Sequence, residues 1–550
     1  MNDRDLRIEK MTPDGTRDRL FAEVEAESRV LRGLEGVFEA AGYRKVRTPG
    51  LEYLSVFSSA ASYFPPEEMY KMSDAGGRLT VVRPDNTIPI ARMTATKLKG
   101  AELPLRVYYT QSVFRRQPAH RGRESEVLQA GVELIGEAGF SADVDMIALA
   151  VQSLSGTYQG RFRIEIGHVG LFKYLMGRLR ATAEDQARIH RYVASKNYAS
   201  LEEVLDNYKK KTAAGLLLKL PELFGGGEAL DEAAAVFASA GEEVKAMIAY
   251  LKQVTGELSA RGLGASVMID LGLVNQAEYY SSLVFRGYGE SAGEPLLSGG
   301  RYDGLFAEFG EDVPATGFGI NVDLLTEAAA GAHGTAGADR PAEARPLRIA
   351  VTKGRLEKDF SALLERAGYD ASPLRDMGRR LLVELPGAGI EIFLAKAADV
   401  VTYVEHGVCD VGIVGKDTIL EQGGTYYEIL DLGFGKCRFA FAAPEGGHVC
   451  AGGAPSVVAS KYPGYAARFF ERKGLDVNII KIDGSVEIAP LLGLCDGIVD
   501  IVETGTTLKE NGLVVTEYIR DITARLIVNV TSMKLRKGEV ESFASKLRGV

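Results

Sequence analysis

One stretch of the sequence divides the chain before any other feature is considered. Residues 328–346, AAAGAHGTAGADRPAEARP, contain no large apolar side chain. Such a segment cannot bury a core, because folding needs apolar surface to offset the loss of chain entropy. The sequence therefore predicts an interdomain linker at 328–346, with one folded region at residues 1–327 and another at residues 347–550.

Composition describes a large globular chain and narrows the classes of partner. The chain has 550 residues, of which 46% are apolar and 25% are charged. This length exceeds one ordinary core and predicts about two to four domains. The 65 basic and 74 acidic residues give a net charge of −9, so no overall basic field attracts nucleic acid. The balance favours small-molecule partners.

Neither a secretory signal nor a membrane span is expected. The N-terminal sequence MNDRDLRIEKMTPDG is charged and has no apolar core, and no apolar run is long enough to cross a bilayer. The cysteines are scattered without metal-ligand spacing, at Cys409, Cys437, Cys450 and Cys495. None has an adjacent histidine and carboxylate, so core packing is the simplest role for them. These features favour a reduced cytoplasmic compartment.

The region after the linker alternates strands and helices. Hydrophobic periodicity predicts strands at 347–352, 390–395, 411–414, 438–443, 456–460, 477–482 and 498–502, and helices at 355–367, 398–406 and 465–473. This order is typical of an α/β domain with a largely parallel sheet, whose ligands bind outside the carboxyl ends of the strands. Polar turns follow three of these strands, at 353–355, 415–417 and 504–507. We expect these turns to converge on one edge of the sheet.

The last of these turns lies in the sequence DGIVDIVETGTTLKENGL, residues 496–513. Its apolar run ends in Glu503 and is followed by TGTT at 504–507, which predicts a strand, a tight turn and a helix start. Free backbone N–H groups, threonine hydroxyls and a glycine make an anion site of phosphate size. Asp500 and Glu503 would repel a phosphate, so their targets are ribose hydroxyls, a divalent metal or positive charge developing on a sugar carbon. The same residues also make an ordinary threonine helix cap.

The region before the linker has a different organisation. A helix is predicted at 18–41, strands at 79–82, 105–109, 112–116 and 126–135, and a helical insertion at about 175–262. Arg115 falls on the predicted 112–116 strand, where a charged side chain needs a partner. This region is therefore expected to carry polar chemistry on a sheet rather than in loops alone.

Motifs after the linker resemble the short form of ATP phosphoribosyltransferase. They occur in the family's order and are KGRL at 353–356, DVGIVGKD at 410–417, SKYP at 460–463, GSVEIAPLLGL at 484–494 and DIVETGTTLKENGL at 500–513. The resemblance implies a two-lobed fold like that of periplasmic binding proteins. It also implies the magnesium-dependent reaction of ATP with phosphoribosyl pyrophosphate that opens histidine biosynthesis.

The resemblance also implies roles for individual residues. The phosphoribosyl pyrophosphate ligands would be Asp500, Glu503, Thr504, Gly505, Thr506 and Thr507, and the ATP ligands would be Lys353, Arg355, Lys396, Gly415, Lys416, Asp417 and Glu487. The catalytic residues among them would be Asp500, Glu503, Lys353 and Arg355. Magnesium (Mg2+) would be bound mainly through pyrophosphate, without a dedicated set of protein ligands.

Motifs before the linker resemble the catalytic core of histidyl-tRNA synthetase. They are TPDGTRD at 12–18, RPDNT at 83–87, FRR at 114–116, GRESEVLQAGVELIG at 122–136, AEYY at 277–280 and SGGRYDGL at 298–305. Asn275 and Leu324 depart from the family pattern, because they stand where the synthetases have arginines that stabilise transferring phosphates. The linker and the transferase-like region also occupy the place of the anticodon-binding domain. These departures indicate that aminoacyl activation is lost.

The amino-acid pocket of the synthetase is nevertheless retained. The residues that match histidine-contacting positions are Asp85, Thr87, Arg115, Gln129, Glu133, Tyr279 and Tyr280. This pattern resembles the synthetase-like regulatory subunit that partners short-form ATP phosphoribosyltransferases, here fused to the enzyme. It implies histidine as a feedback inhibitor, allosteric regulation and a homo-oligomer.

The predicted fold is α/β and α+β multidomain. A class II aminoacyl-tRNA synthetase-like antiparallel sheet domain is followed by a two-lobed periplasmic-binding-protein-like α/β transferase. Two rival functions remain open at this point: an aminoacyl ligase, which would exchange pyrophosphate into ATP when given histidine alone, and a non-catalytic sensor of nucleotides and histidine. Pyrophosphate release from ATP and phosphoribosyl pyrophosphate, with and without histidine, separates the three.

Overall fold

The chain forms two compact units, Met1–Ala342 and Glu343–Val550, called here the N-terminal and C-terminal units. In the computed structural model, the described residues are 10–58, 68–117, 123–194, 197–274, 279–290, 292–334, 345–376, 378, 380–445 and 456–549. Within these residues, none of the helices combines the length and apolar character that a bilayer crossing requires.

A nine-stranded sheet forms the centre of the N-terminal unit. Its strands, in spatial order, are β1 (Arg44–Lys45), β5 (Leu105–Phe114), β6 (Glu126–Ile135), β12 (Ala315–Asn321), β11 (Leu297–Arg301), β10 (Leu283–Gly289), β7 (Phe162–His168), β9 (Val267–Asp270) and β8 (Phe224–Gly225). Neighbours are antiparallel except for the β1–β5 and β7–β9 pairs. A smaller sheet contains β2 (Leu51–Tyr53), β4 (Leu79–Val82) and β3 (Lys71–Ser73).

The helices of the N-terminal unit pack against the large sheet and build the helical region. They are α1 (Ala22–Ala40), α2 (Leu54–Ser58), α3 (Thr87–Lys97), α4 (Phe140–Thr157), α5 (Val169–Leu179), α6 (Ala183–Ala194), α7 (Tyr198–Asp206), α8 (Thr212–Lys219), α9 (Glu228–Val236), α10 (Glu242–Ala260) and α11 (Val322–Gly334). Phe38 of α1 and Ile147 of α4 are buried with Val132 of β6 in one core. Because side chains alternate along a strand, Gln129 and Glu133 of β6 lie on the opposite face of the sheet.

Two predicted boundaries in the N-terminal unit differ from the structure. The strands expected at 105–109 and 112–116 are one strand, because the polar residues Thr110 and Gln111 stay in register with β6. This strand ends at Phe114, so Arg115 lies just beyond it rather than on it. Helix α11 runs to Gly334, so residues 328–334 of the predicted linker are helical, and Ala328 is buried. Alanine favours helix and packs without a large side chain.

The C-terminal unit has two lobes, each built on its own sheet. The first sheet has the order β14 (Leu382–Leu385), β15 (Ile390–Ala395), β13 (Leu347–Thr352), β16 (Val411–Gly415), β23 (Ala524–Val528) and β17 (Tyr427–Asp431). The second has the order β20 (Val477–Lys481), β19 (Ser456–Ser460), β21 (Gly497–Val502), β18 (Cys437–Pro444) and β22 (Leu513–Ile522).

The prediction of a largely parallel sheet is wrong. In the first lobe β13, β15 and β16 are parallel, but β14, β23 and β17 pair antiparallel to their neighbours. In the second lobe β19, β20 and β21 are parallel, whereas β18 is antiparallel to both of its neighbours. The strands β22 and β23 follow each other directly in sequence, which brings the chain back from the second lobe to the first.

Short helices and two crossings complete the C-terminal unit. The helices are α12 (Arg355–Arg366), α13 (Ser372–Arg375), α14 (Ala397–Glu405), α15 (Lys416–Gln422), α16 (Pro463–Arg472), α17 (Ile488–Leu491), α18 (Thr506–Glu510), α19 (Val530–Leu535) and α20 (Lys537–Arg548). The chain crosses between the lobes after β17 and after β22. The two crossings are hydrogen-bonded to each other, since the Ala524 N–H donates to the Phe434 carbonyl at 2.9 Å. Gly433 and Gly435 flank Phe434 with φ values of 72° and 65°, which favour glycine.

A buried carboxylate fastens the start of the C-terminal unit. Asp410, immediately before β16, has no exposed surface and accepts a hydrogen bond from each terminal guanidinium nitrogen of Arg345, at 2.8 and 3.0 Å. The Arg536 guanidinium donates to the same carboxylate at 3.0 Å, and the Ser532 hydroxyl donates at 2.6 Å. Because buried charge is stable only when paired and hydrogen-bonded, this cluster fixes the point at which the chain enters the unit.

Candidate active site and ligand pocket

The loop at 504–507 lies at the carboxyl end of β21. Val502 on one side and Leu508 on the other are buried in the same small core, so the loop is held at both ends. Gly505 has a φ of 77°, a left-handed value that a glycine adopts without strain. The Thr504 and Thr506 hydroxyls lie 3.0 Å apart and are exposed. The loop therefore presents several hydrogen-bonding groups to solvent in one place.

Asp500 and Glu503 stand beside this loop in different surroundings. Asp500 is half-buried, and its carboxylate accepts the Ile501 N–H at 2.8 Å. Burial raises the pKa of Asp500 to about 6, and the negative charge of Glu487 adds to the shift. Glu503 is exposed. One carboxylate is therefore half-buried and hydrogen-bonded to the backbone, and the other is exposed.

An ion pair joins Glu503 to the other lobe. The Arg355 guanidinium, at the start of α12 in the first lobe, contacts the Glu503 carboxylate at the end of β21 in the second. This contact brings two of the predicted turns together, although they follow strands of different sheets. About half of each side chain is exposed, at 49% and 59%, so the pair is weak and a charged ligand can displace it.

Helix α15 of the first lobe makes further contacts with the second. The Tyr462 hydroxyl donates to the Asp417 carboxylate at 2.8 Å. The Glu421 carboxylate accepts the N–H groups of Gly464 and Tyr465, at 3.0 and 2.8 Å, in the first turn of α16. A carboxylate at a helix N-terminus satisfies free N–H groups and the helix dipole together. These contacts fix Asp417 relative to the second lobe.

Lys416, which was predicted as an ATP ligand, has a buried side chain that bonds within the first lobe. Its side chain has no exposed surface, and its ammonium lies 2.6 Å from a carboxylate oxygen of Glu428. Burial lowers the pKa of Lys416, and the charge of Glu428 opposes this effect. Arg525 lies 3.5 Å from the other oxygen of Glu428. Lys416 therefore ties α15 to the core of the first lobe.

Lys353 and Lys396, two other predicted ATP ligands, lie at the carboxyl ends of neighbouring strands. Lys353 follows β13 and Lys396 follows β15, and both are exposed. They are neighbours because β13 and β15 are parallel, with the Lys353 N–H donating to the Ala395 carbonyl at 2.9 Å. Glu487 is half-buried in the second lobe, and Gly415 is the last residue of β16.

Some cleft residues were not predicted from the sequence. Tyr462 is among them, because its partner Asp417 is distant in sequence and nothing local marks the pair. Cys437 packs against the apolar core of the second lobe, as the sequence predicted, and it also lies within reach of the charges of Asp417, Arg355 and Glu503. Burial, together with the charge of Asp417, raises the pKa of this thiol to about 11. It is therefore a neutral group in the cleft.

A second site lies on the other face of the large sheet in the N-terminal unit, around Glu133 and Gln129. Glu133 is at its centre, 1% exposed, and accepts the Thr87 hydroxyl at 2.8 Å and the Tyr302 hydroxyl. Burial raises the pKa of Glu133 to about 8. A side chain at Gly317, opposite Glu133 on β12, would collide with the carboxylate. The glycine therefore makes the space in which Glu133 sits.

Asp85 and Arg115 occupy the next part of the pocket wall. The Asp85 carboxylate accepts the Ile88 N–H at 2.9 Å and is buried. Burial raises the pKa of Asp85, and the charge of Arg115 works in the opposite direction. Arg115 also donates to the Pro84 carbonyl at 2.8 Å. The structure thus brings these two predicted residues together.

Aromatic rings close the pocket. The rings of Tyr279 and Tyr280 are 4.8 Å apart, and Tyr302 lies 5.6 Å from Tyr279 and 6.2 Å from Tyr280. Tyr109 is buried and lies two residues from Gln111 on β5, so both side chains are on the face of the sheet that carries Gln129 and Glu133. Tyr109 was not singled out from the sequence. Tyr302 was also missed, although it lies within a quoted motif.

Of the two positions that depart from the synthetase pattern, the structure describes Leu324 but not Asn275. Leu324 is half-buried and packs against the main core, as an alkyl side chain does. Asn275 lies outside the described residues, as does Cys450.

Comparison with known proteins identifies the C-terminal unit. A family model described as ATP phosphoribosyltransferase matches residues 396–549. Over 204 residues the chain is 52% identical to an ATP phosphoribosyltransferase of Clostridium kluyveri, an alignment that covers 37% of this chain and 93% of the relative. The chain belongs to the ATP phosphoribosyltransferase family. Its C-terminal unit is an enzyme domain of that family.

The N-terminal unit belongs to a second family. A family model described as histidyl-tRNA synthetase matches residues 15–325. Over 326 residues the chain is 36% identical to an ATP phosphoribosyltransferase regulatory subunit of Clostridium acetobutylicum, covering 59% of this chain and 80% of the relative. A crystal structure described as an ATP phosphoribosyltransferase regulatory subunit/histidyl-tRNA synthetase, from Bacillus halodurans C, is similar with a TM-score of 0.54 and 31% identity, covering 71% of this chain and 93% of that one. The chain is a fusion of a synthetase-like regulatory subunit with its transferase.

Proposed function

We propose that the cleft of the C-terminal unit binds phosphoribosyl pyrophosphate and ATP and joins them. The loop 504–507 would bind the 5-phosphate, and Asp500 and Glu503 would accept hydrogen bonds from the ribose hydroxyls. The observation that carries this assignment is the Arg355–Glu503 ion pair, because it places residues from both lobes around the same loop. A cleft with cations on one side and ribose-binding carboxylates on the other suits two phosphorylated substrates.

The reaction needs no nucleophilic side chain in this proposal. A purine ring nitrogen of ATP forms a bond to the anomeric carbon while the bond from that carbon to pyrophosphate breaks, and the electron pair leaves with pyrophosphate. The ionised carboxylate of Asp500 stabilises the positive charge that develops on the ribose ring. The ATP and pyrophosphate oxygens would be bound by exposed cations, namely Lys353, Lys396 and Arg355. Arg355 becomes available when a substrate displaces it from Glu503.

Magnesium is assigned to the substrates rather than to the protein. Among the described residues, no group of three or more His, Cys, Asp or Glu side chains is arranged to hold a metal ion. The oxygens of pyrophosphate are hard ligands that magnesium prefers, so the ion would enter with phosphoribosyl pyrophosphate. There it would neutralise the charge of the departing pyrophosphate.

Pyrophosphate release tests the catalytic assignment. With ATP, phosphoribosyl pyrophosphate and magnesium, the wild-type chain is expected to release pyrophosphate, and Thr504→Ala or Asp500→Ala should remove most of this turnover without unfolding the chain. Thr516→Ala, which changes an exposed threonine on β22, is the matched control and should keep it. Full activity of the Thr504 and Asp500 variants would contradict the assignment.

The same assay separates the rival functions. A sensor would bind the nucleotides yet release no pyrophosphate. An aminoacyl ligase would exchange pyrophosphate into ATP when histidine is present and phosphoribosyl pyrophosphate is absent.

The pocket of the N-terminal unit is proposed to bind histidine as a feedback inhibitor. Its buried carboxylates suit an ammonium and an imidazole, and its relatives are named regulatory subunits of the transferase. Allostery requires that histidine bind two states of the protein unequally, since tethering alone shifts no equilibrium. The proposal includes a homo-oligomer in the cytoplasm, where both phosphorylated substrates are available.

A variant of the pocket centre tests this regulation. Glu133→Ala should release pyrophosphate at the wild-type rate but resist histidine, because the carboxylate that meets the ligand is gone. Glu222→Ala, which removes an exposed carboxylate of the same unit, is the control and should stay sensitive. If Glu133→Ala stays sensitive as well, the inhibitor binds elsewhere.

A further inference from the structure

A row of side-chain amides runs along one wall of the ligand pocket. Gln111 of β5 and Gln129 of β6 are directly opposite each other in the sheet, and Asn86, at the start of α3, lies between their amide groups. Gln111 and Asn86 are buried, at 5% and 0% exposed, whereas Gln129 is half-buried. An amide can face a partner with either its oxygen, which accepts, or its nitrogen, which donates. The orientation of the three amides therefore decides whether the row presents an acceptor or a donor to a ligand.

The orientation is fixed at the Gln111 end of the row, by groups that can only donate hydrogen bonds. The Gln111 amide oxygen accepts the Thr48 backbone N–H at 2.8 Å and a guanidinium N–H of Arg83 at 3.3 Å. Arg83 is itself buried and immobilised, because it also donates to the carbonyls of Pro49 and Ser112. Neither a backbone N–H nor a guanidinium can accept, so the oxygen of Gln111 must face them.

The remaining orientations follow in sequence. With its oxygen engaged, Gln111 donates its NH2 group to the Asn86 side-chain oxygen at 3.2 Å. Asn86 then donates its own NH2 group to the side-chain oxygen of Gln129 at 3.1 Å, and lies 3.4 Å from the Gln111 backbone carbonyl. Each amide thus accepts on one side and donates on the other, so reversing one member would reverse those after it.

The last amide faces the pocket with its nitrogen. The Gln129 nitrogen lies over Gly319, where an added Cβ would be 3.6 Å away, on the glycine-lined floor beside Tyr109. Among the described residues, no protein acceptor for this nitrogen is found. Within the part of the chain that the structure describes, Gln129 therefore has N–H groups available to a ligand on the sheet face.

We propose that Arg83, Gln111 and Asn86 are positioning residues that fix Gln129 as a hydrogen-bond donor to the carboxylate of the amino-acid ligand. This inference rests on the proposed histidine pocket. The pocket's own carboxylates, Asp85 and Glu133, suit the cationic parts of the ligand, so its carboxylate needs donors. Gln129 supplies one, and its direction is set through two intervening amides by a buried arginine.

Replacing Gln111 by glutamate tests the orientation. The carboxylate introduced by Gln111→Glu cannot donate, so the Asn86 NH2 group turns toward it, the Gln129 NH2 group turns toward Asn86, and Gln129 presents its oxygen to the ligand. The new carboxylate also pairs with Arg83, which favours folding. Titration calorimetry on the full chain should measure the dissociation constants of histidine and of histidinamide, whose carboxylate is replaced by an amide that can donate.

The expected result is a change in preference. The wild-type chain should bind histidine more tightly than histidinamide, and in Gln111→Glu the ratio of the two constants should shift toward histidinamide by at least about tenfold, a typical factor for one mismatched hydrogen bond to a charged group. Gln111→Met is the control, because it removes the amide without imposing the opposite orientation, and its ratio should lie between the two. All variants are measured at one pH, so differences in protonation between the two ligands cancel when the ratios of the variants are compared.

Other outcomes are informative in distinct ways. An unchanged ratio in a folded Gln111→Glu chain that still binds histidine overturns the proposed positioning but leaves the histidine pocket intact. If the wild-type chain binds neither ligand, the proposed regulatory pocket fails, and the positioning role fails with it. If Gln111→Glu does not fold, Asn86→Asp makes the same test one step later, since a carboxylate there accepts from both glutamines and must also turn Gln129.

Discussion

Asp500 is the residue whose protonation is expected to set the acid limit of the reaction. Its folded pKa of about 6 is raised from the ordinary value near 3.9. The proposed role needs the ionised carboxylate, so activity should be full about one pH unit above this pKa and fall to half near the pKa itself. We predict that kcat/KM for phosphoribosyl pyrophosphate, followed by pyrophosphate release from pH 5 to pH 8, bends downward about two pH units higher than an unperturbed aspartate would give.

A control is needed because substrate phosphates also titrate near pH 6. The residual activity of Asp500→Asn isolates the contribution of the substrates, and its bend should be weaker than that of the wild-type chain. Glu487→Gln should move the wild-type bend to lower pH, since Glu487 contributes to the raised pKa. An identical bend in Asp500→Asn and wild type would contradict the assignment.

Individual residues also show how far the sequence could be read. The loop 504–507 was recognisable because glycine and threonines directly follow an apolar strand, a local pattern. The burial of Lys416 was not, because its partner Glu428 belongs to another strand and no sequence pattern marks the pair. The same holds for Asn86 and Gln111, whose roles depend on Arg83 and on strand register. Roles set by neighbours in space need the fold first.

Helix α15 is the element that couples the two lobes. Glu421 at its end accepts two N–H groups of the first turn of α16, so removing it leaves both donors unpaired. We predict that Glu421→Ala lowers kcat/KM about tenfold, equivalent to about 1.4 kcal/mol, because the lobes lose a fixed relative position while each keeps its own core. Steady-state kinetics measure the loss, and far-ultraviolet circular dichroism should be unchanged.

Two variants of the same elements sharpen this prediction. Glu421→Gln keeps one acceptor oxygen and should recover part of the activity. Glu471→Ala removes an exposed carboxylate from the other end of α16 and should have no effect. If Glu421→Ala and Glu471→Ala behave alike, α15 does not set the lobe geometry.

At the scale of elements, the short and mostly apolar strands were easiest to predict. The bounds of β13, β15 and β19 match the expected ranges because each is a short apolar run bounded by polar or glycine-rich turns. The strand β22 was not predicted, since its side chains alternate between half-buried and exposed and carry several charges. The direction of the strands could not be predicted either, because an apolar run has the same periodicity in a parallel or an antiparallel pair.

The division into two units leads to a prediction for the whole molecule. Each unit has its own core, so heating the intact chain in a calorimeter should give two unfolding transitions. A ligand that binds only the folded form at 100 times its Kd stabilises it by about 2.7 kcal/mol, enough to move a transition by several degrees. Histidine should raise one transition, and phosphoribosyl pyrophosphate with magnesium should raise the other.

Variants assign each transition to a unit. Glu133→Ala should abolish the shift caused by histidine, and Thr504→Ala should abolish the shift caused by phosphoribosyl pyrophosphate. A single transition that both ligands raise equally would show that the units unfold together and would refute the prediction.

The Asp410 cluster determines where the chain coming from the linker is attached to the sheet of the first lobe. Arg345 fastens the incoming chain at the amino ends of β13 and β16, whereas Lys353 and Asp417 follow the carboxyl ends of the same strands. The six residues of β13 span about 20 Å, at roughly 3.3 Å per residue. The peptide connection is thus attached on the side of the sheet remote from the chemistry. Because the attachment point is the salt-bridged anchor at the opposite edge of this sheet, we expect that lengthening the linker leaves the shape of the cleft unchanged.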